Sequence, residues 1–359
     1  MIMQSNRFIF IDIARTLAAI FMVLVHVLGL LSTQQVEASL FGKVINFLGC
    51  VPAAPIFMFA MGASFSFTDK SDKYNQKAKR GVTILLQGYI LNIMRLVCPF
   101  LLILLLQLLG IHTFYTNSEH EVGSGILDNL LVVDILQFAG LAYLFLTLVS
   151  YLKINNAVII YLIIAFFVFI SPFLWGLEAS NQYINRVFDL FWGEKGELVS
   201  FPFFPWIVYP LFGLVCGKRY LKYKSNISKC LMRDLLFGVA CIFIGGIITF
   251  YNPQAHLGDY WRTGPGGLFL YVGFIPIWIY LCYIISLKLS FIFHKMSYFT
   301  SRNITKFYFT QWVIISCMVG VFGENSLDLV FVIILMVLTL LLTYFITYVI
   351  EKLKSSFVI

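Results

Sequence analysis

Charged side chains are scarce in this sequence, and their scarcity excludes most kinds of protein. Asp, Glu, Lys and Arg make up 12% of the 359 residues, whereas an average soluble domain has about 25%. Hydrophobic residues make up 60%. So few charges cannot cover a water-facing surface of this size, which excludes an ordinary soluble domain and a disordered chain.

Long hydrophilic stretches and cysteine pairs are also missing. The longest hydrophilic stretch is 177–200, too short for a soluble domain. The 7 cysteines are scattered and form no CxxC pair, so we expect neither a disulfide framework nor a zinc ribbon. The net charge of +8 comes from short clusters of Lys and Arg between apolar runs. That pattern predicts membrane topology and not a nucleic-acid partner.

What the chain does have is apolar runs of about 20 residues along its whole length. They predict an all-α, polytopic membrane protein with about ten transmembrane helices in a single domain, 1–359. The strand-like alternation of an outer-membrane barrel is not seen. The expected spans are 9–32, 43–67, 81–110, 127–150, 156–176, 202–218, 234–251, 266–287, 304–322 and 328–350.

The distribution of Lys and Arg predicts the orientation of these spans. Most of the 25 fall on one side of the membrane. The other side holds Lys43, Arg186, Lys195 and Arg262. By the positive-inside rule both termini are therefore cytoplasmic. The first apolar run contains Asp12 and Arg15 and is too long for a signal peptide, so we expect it to stay as a span. Short loops without disulfides favour a bacterial inner membrane.

The first span carries the strongest indication of function. An ionisable group in a membrane helix costs roughly 2.5–3.5 kcal/mol, so Asp12, Arg15 and His26 in one span need a reason. Helical spacing puts them on one stripe with Ala19 and Met22, and His26 lies about 16 Å beyond Arg15 along the helix axis. The stripe predicts a cation that anchors an anionic ligand, with an imidazole deeper in the membrane. An interior Asp–Arg pair with a hydrogen-bonded core histidine is the alternative.

These residues resemble the opening helix of the transmembrane acyltransferases. The pattern runs from Arg7 through Asp12 and Arg15 to His26. The group includes the acyltransferase-3 family and the heparan-α-glucosaminide N-acetyltransferase-like membrane proteins. Further similar segments are 54–64, 134–140, 201–206 and 211–213. Two positions depart from the family pattern, since Thr16 replaces a glycine and Gln311 replaces a histidine found in many relatives.

The resemblance implies transfer of an acyl group, most simply acetyl, from cytoplasmic acyl-CoA. His26 would act as base or carry the acyl group, and either role needs a neutral imidazole. Asp134, in the fourth expected span, would orient His26 or receive its proton; pairing with Arg95 is the alternative. The expected donor-binding residues are Arg15, Asp12, Arg80, Lys79 and Arg302, since guanidinium groups bind phosphate oxygens bidentately. For any single Lys in this set, the positive-inside rule alone explains why a cation lies at that position.

The acceptor implied by the resemblance is an amine or hydroxyl of a sugar or glycan on the far side. A Gly-rich outer loop carries Asp259, Trp261 and Arg262, the acid, aromatic and cation of a sugar-binding rim. Trp206 has the same character, and an interfacial aromatic belt is the alternative for both. Gln137 and Gln311 are plausible polar residues of the cavity.

Several alternatives stay open at this point. His112, Glu119, His120 and Glu121 cluster in one loop, but their spacing fits no standard zinc site, so we expect no metal. The expected partners are acyl-CoA, a glycan acceptor and membrane lipids, with a homodimer left open. A proton-coupled transporter or flippase of an anionic or glycan-linked solute is the second hypothesis, and a scaffold subunit is the third. The sequence does not distinguish N- from O-acylation.

Overall fold

The structure is a computed structural model that describes residues 7–68, 73–111, 126–193 and 199–356. Within these ranges the chain is helical, with isolated β-bridges pairing Ser32 with Leu327 and Val133 with Val199. The α-helices are α1 (Ile9–Leu31), α2 (Gln34–Ala38), α3 (Leu40–Cys50), α4 (Ala54–Phe67), α5 (Tyr74–Leu108), α6 (Ile126–Leu131), α7 (Ile135–Tyr151), α8 (Ala157–Leu174), α9 (Gln182–Phe191), α10 (Phe203–Trp206), α11 (Val208–Lys222), α12 (Ile227–Tyr251), α13 (Pro253–Leu257), α14 (Pro265–Lys288), α15 (Phe291–Arg302), α16 (Ile304–Phe322) and α17 (Leu329–Ser356).

The protein is an all-α polytopic membrane protein, as the apolar runs predict. Among the described residues, 8 helical segments are long and apolar enough to cross a membrane. Two of the expected spans correspond to shorter helices, namely α7 with 17 residues and α11 with 15. The count of ten spans and the cytoplasmic termini stay predictions.

Three of the expected spans are interrupted. The span expected at 202–218 divides into α10 and α11. The span expected at 43–67 divides into α3 and α4 because Pro52 and Pro55 limit the helical backbone there. The span expected at 127–150 divides into α6 and α7. Here Val133 leaves the helix, and its carbonyl accepts a hydrogen bond from the backbone N–H of Ser200 at 3.0 Å. Asp134 then caps the new helix.

The chain forms two compact units. The first unit contains Met1–Ala14, Ala54–Tyr89 and Leu131–Leu289, and the second contains Arg15–Ala53, Ile90–Leu130 and Ser290–Ile359.

The first unit is held together by closely packed helices that meet at glycines. A Cβ atom on Gly213 of α11 would lie 2.0 Å from the carbonyl oxygen of Phe59 in α4. A Cβ on Gly62 of α4 would lie 1.9 Å from the carbonyl oxygen of Pro210. Small residues let membrane helices approach closely, and dispersion contacts then stabilise the pair.

The second unit has an apolar core formed by α1, α16 and α17. Buried residues of α1 meet Ile315 and Met318 of α16 and Val332 and Leu335 of α17. The connection before α17 is fixed by the backbone, since the N–H of Thr33 donates to the carbonyl of Leu327 at 3.1 Å. This core packs against the part of α1 from Arg15 onward, which carries Arg15 and His26.

Candidate functional site

Arg15 lies in α1 at the C-terminal turn of α15, within the second unit. Its guanidinium donates to the hydroxyl of Ser301 at 3.3 Å and, more weakly, to the Ser301 carbonyl at 3.5 Å. The hydroxyl of Thr16 donates to the carbonyl of Ser297 at 3.2 Å. The C-terminal end of a helix carries partial negative charge, which favours a guanidinium there. Arg15 is half-buried, so these contacts hold the guanidinium in place while part of the side chain stays accessible.

His26 lies against aromatic rings of α16. Its imidazole is 4.2 Å from the Trp312 ring, centroid to centroid, with the planes at 34°. Tyr308 presents its ring edge-on at 6.4 Å. The guanidinium carbon of Arg95, in α5, lies 3.8 Å from the centroid of the same Trp312 ring. Three helices of the second unit therefore meet at one indole, with a cation and an imidazole in contact with it.

The stripe that connects Arg15 with His26 faces protein. Ala19 and Met22, which lie between them on the same face, are each 3% exposed. Arg15 and His26 are half-buried. Eleven residues of helix separate them by about 16 Å along the axis. The predicted stripe is thus buried, and its two functional groups lie at different depths.

Asp12 belongs to the first unit and pairs with Arg7. Both oxygens of its carboxylate accept hydrogen bonds from Arg7, at 2.7 and 2.8 Å. Asp12 is 4% exposed. The pair neutralises a buried carboxylate, which accounts for Asp12 structurally, and its predicted part in donor binding stays a prediction.

Asp134 is the N-cap of α7. Its carboxylate accepts from the N–H of Ile135 at 2.6 Å, and the Gln137 side chain accepts from the N–H of Asp134 at 3.2 Å. Together they form a capping box. Gln137 is fully buried, and a Cβ on Gly88 would lie 2.6 Å from its amide carbon. Helix capping accounts for the Asp134 carboxylate and for the Gln137 amide oxygen, whereas the Gln137 amide nitrogen is buried without a hydrogen-bond partner among the described residues. A catalytic role for Asp134 and substrate contact by Gln137 stay predictions.

Four of the residues expected to bind the acceptor come together in the first unit. The indole N–H of Trp206 donates to the carbonyl of Trp261 at 2.8 Å, and the ring of Phe201 lies 4.6 Å from each indole ring. The Asp259 carboxylate accepts from the backbone N–H of Trp261 at 2.8 Å and contacts the Arg262 guanidinium at 3.3 Å. The Arg262 side chain is 3% exposed, whereas that of Asp259 is 39% exposed. We call Phe201, Trp206, Tyr260 and Trp261 the aromatic platform.

A sequence model of the heparan-α-glucosaminide N-acetyltransferase catalytic domain matches residues 7–251. The chain belongs to this family. The resemblance drawn from the opening helix is thereby confirmed. The matched residues include Arg15, His26, Arg95 and Trp206, whereas Ser301 and Trp312 lie beyond them. No curated protein sequence matches the chain significantly.

The exposed cations expected at the donor site of this N-acetyltransferase family member are distributed over both units. Lys79 and Arg80 are exposed near the start of α5, where the Arg80 guanidinium lies 5.4 Å from the ring of Tyr143. Arg302, in the second unit, is exposed and follows Ser301 directly. Arg302 is thus the predicted donor-binding cation that adjoins the Arg15 contact.

Gln311 is buried in the second unit of this family member. It is 1% exposed, and neither atom of its amide has a hydrogen-bond partner within the described part of the chain. It lies on α16 between Tyr308 and Trp312, the two residues that face His26. Its predicted part in substrate binding stays a prediction.

Sequence reasoning did not place Tyr308, Trp312 or Arg95 near His26, and it did not place Ser301 near Arg15. Tyr308 and Trp312 are four residues apart, a spacing that puts two aromatic rings on one helix face. Arg95 is a charged group inside a span, which is itself an indication of function. These signals were available, but the sequence alone does not tell which helix a given face contacts.

The histidine and glutamate cluster at 112–121 lies outside the described residues. Within the described ranges, no group of three or more His, Cys, Asp or Glu side chains is placed to hold a metal ion.

Proposed function

We propose that this protein is a membrane-embedded acetyltransferase that uses acyl-CoA, most simply acetyl-CoA, as its donor. The acetyl group would pass to an amine or hydroxyl of a sugar or glycan on the extracytoplasmic side. The family match over residues 7–251 supports the transferase class. The observation that carries the rest is the buried stripe of α1, which holds Arg15 and His26 about 16 Å apart in one compact unit.

The residues around Arg15 fit an anionic donor that enters from the cytoplasm. Coenzyme A carries several phosphate charges, and its thioester supplies an activated acetyl group when the molecule is bound. Arg15 is held by Ser301, and the exposed Arg302 lies next to it in sequence. A fixed guanidinium with a second one nearby is suited to phosphate oxygens, because each contact is charge-assisted. The stripe then leads from these cations to His26.

His26 is suited to accept the proton that the acceptor loses. A general base must lie within hydrogen-bond reach of that proton and must hold a defined orientation. Contact with the Trp312 and Tyr308 rings restricts the plane of the imidazole. A half-buried position still leaves a part of the ring that a substrate can approach. We therefore assign His26 the role of catalytic base.

The aromatic platform is suited to the sugar ring of the acceptor. Trp206 is 1% exposed and therefore forms the buried part of the platform. Tyr260 and Trp261 are half-buried, so part of each ring is accessible to a ligand. Apolar faces of sugars pack on such rings. Asp259 keeps a partly exposed carboxylate that would favour a protonated amino sugar.

We also propose a bacterial inner-membrane location, with both termini cytoplasmic and the whole chain acting as one transferase domain. The clusters of Lys and Arg support the orientation. Both N- and O-acetylation are compatible with a neutral imidazole as base.

Thermal unfolding of the detergent-purified protein, with and without acetyl-CoA, tests the donor. A ligand that binds the folded state raises Tm, by an amount that grows with its concentration over Kd. We expect acetyl-CoA at tens of micromolar to raise the Tm of both the wild type and His26→Ala. The same preparations, incubated with radiolabelled acetyl-CoA and glucosamine-containing oligosaccharides, should show acetylated sugar with the wild type alone. No rise in Tm at millimolar acetyl-CoA would overturn the donor assignment. Proton-coupled uptake of an anionic solute by proteoliposomes would then favour a transporter.

A further inference from the structure

Three uncharged polar side chains of α16 and α17 are buried in the second unit. Gln311 is 1% exposed, and Thr343 and Thr347 are 0% exposed. Neither atom of the Gln311 amide and neither threonine hydroxyl has a hydrogen-bond partner among the described residues. Unpaired polar groups in a membrane interior reduce stability, because lipid offers no partner. Their burial therefore needs an explanation.

Two contacts fix the register of α16 against α17. Near one end, Lys306 forms an ion pair with Glu351. Further along, the hydroxyl of Thr339 donates to the sulfur of Met318 at 3.4 Å. In an antiparallel pair of helices, the numbers of facing residues add up to a constant. Both contacts give the same total, so one register describes the whole pair.

This register brings the three unpaired side chains together. Gln311 lies between the two contacts on α16, and its counterpart on α17 lies between Thr343 and Thr347. Gln311 is seven residues from Met318 and so shares its face, which is the face toward α17. The two threonines follow Thr339 at intervals of four and so lie on one face of α17. The amide and the two hydroxyls therefore face the same space.

We propose that Gln311, Thr343 and Thr347 form a buried water-binding site between the last two helices. Buried water molecules typically make about three hydrogen bonds to polar groups that otherwise lack partners. An amide supplies both donors and an acceptor, and each hydroxyl supplies one donor and two lone pairs. One or two water molecules can satisfy all of these atoms. A charged ligand is disfavoured, since none of the three side chains carries a compensating charge.

The site lies at a depth that matters for the rest of the second unit. Gln311 is flanked on α16 by Tyr308 and Trp312, which both face His26. The water would thus lie at the level of the imidazole, where lipid supplies no hydrogen bonds. The proposal does not depend on the acetyltransferase function and is tested without it.

The sign of a stability change distinguishes a hydrated site from a dry one. Thr→Val keeps the shape of the side chain and its β-branching while it removes the hydroxyl. In a hydrated site, Thr343→Val and Thr347→Val break a bond to water, and we expect each to lower Tm by about 1–4 °C. Thr339→Val is the matched control, because its hydroxyl already has the Met318 sulfur as partner. We expect the control to change Tm by about 1 °C or less.

A dry interface gives the opposite sign. There, each valine replaces an unpaired hydroxyl by an apolar methyl group, and Tm rises. A rise for Thr343→Val and Thr347→Val would overturn the proposal. A double-mutant cycle provides a second, independent measurement. Shared water makes the effects of Gln311→Leu and Thr343→Val non-additive, whereas additive effects would contradict a common site.

Discussion

The imidazole of His26 lies 4.2 Å from the indole of Trp312, and the two planes are inclined by 34°. The indole therefore covers one face of the imidazole. Because Trp312 also contacts the guanidinium of Arg95 at 3.8 Å, its own position is fixed from a second direction. This arrangement gives a histidine in a membrane helix a defined orientation, which is the condition that general base catalysis requires.

His26→Ala should abolish acetyl transfer and leave donor binding intact. General base catalysis contributes about 10²–10⁴-fold to the rate, and alanine removes the base without altering the contacts of Arg15. The measurement is the rate of acetylated sugar formation, together with the rise in Tm caused by acetyl-CoA. His294→Ala, which changes another histidine of the second unit, serves as the control. Wild-type activity of His26→Ala would remove His26 from the mechanism.

Trp312 should act as a positioning residue for His26. Trp312→Leu removes the aromatic face, so the imidazole samples more orientations, and we expect kcat to fall about 10-fold or more. KM for the donor should change little, because Arg15 is unaffected. Trp312→Phe keeps a ring and should restore most of kcat. Equal falls in kcat for Trp312→Leu and Trp312→Phe would argue against positioning. A change confined to KM would argue against it as well.

The sequence predicts the elements of this fold well because its strongest signals are local. Apolar runs and the cations between them predict each span from its own sequence, without knowledge of its neighbours. The α1 stripe follows from helical spacing alone. Asp134 carries a further local signal. Asp followed by Gln three residues later is a capping box, and it marks the helix start that divides the fourth expected span.

Contacts between helices could not be predicted in the same way. Arg219 lies in one of the short clusters of Lys and Arg between apolar runs, and it pairs with Asp234 of α12. Ser301 lies far from Arg15 in sequence, and nothing in its own surroundings indicates the contact. Such pairings depend on which helix faces pack together. A single sequence predicts which face of a helix is buried but not which helix packs against it.

Asp134→Asn and Asp134→Ala should separate capping from catalysis. Asparagine caps a helix about as well as aspartate, whereas alanine costs about 0.5–2 kcal/mol. If Asp134 is only the N-cap of α7, Asn keeps both Tm and activity, and Ala lowers Tm by a few degrees. Loss of activity in Asp134→Asn at unchanged Tm would instead support the predicted catalytic role. Tm and turnover measured on the same preparations give the answer.

Arg15→Ala should mainly weaken donor binding. A hydrogen bond to a charged group contributes about 1.5–3 kcal/mol, which corresponds to a rise of about 10–100-fold in KM for acetyl-CoA. Arg15→Lys should recover part of this, since it keeps the charge but not the bidentate geometry. Arg233→Ala changes an exposed cation of the first unit and is the control. An unchanged KM in Arg15→Ala would contradict the anchor role.

The pair of Arg219 and Asp234 should matter for stability and not for the donor. The guanidinium lies 2.5 Å from the Asp234 carboxylate, whose side chain is 2% exposed. Removing one partner of a buried pair leaves an uncompensated charge and costs about 3–5 kcal/mol, whereas replacing both partners by apolar residues is often neutral.

We therefore expect Arg219→Leu to lower Tm by several degrees and Arg219→Leu with Asp234→Leu to lower it less. The acetyl-CoA-dependent rise in Tm should persist in both variants. A donor-dependent rise that disappears in Arg219→Leu and also in the double variant would mean that Arg219 contacts the donor directly. A double variant less stable than Arg219→Leu would show instead that Asp234 stabilises the first unit through a partner other than Arg219.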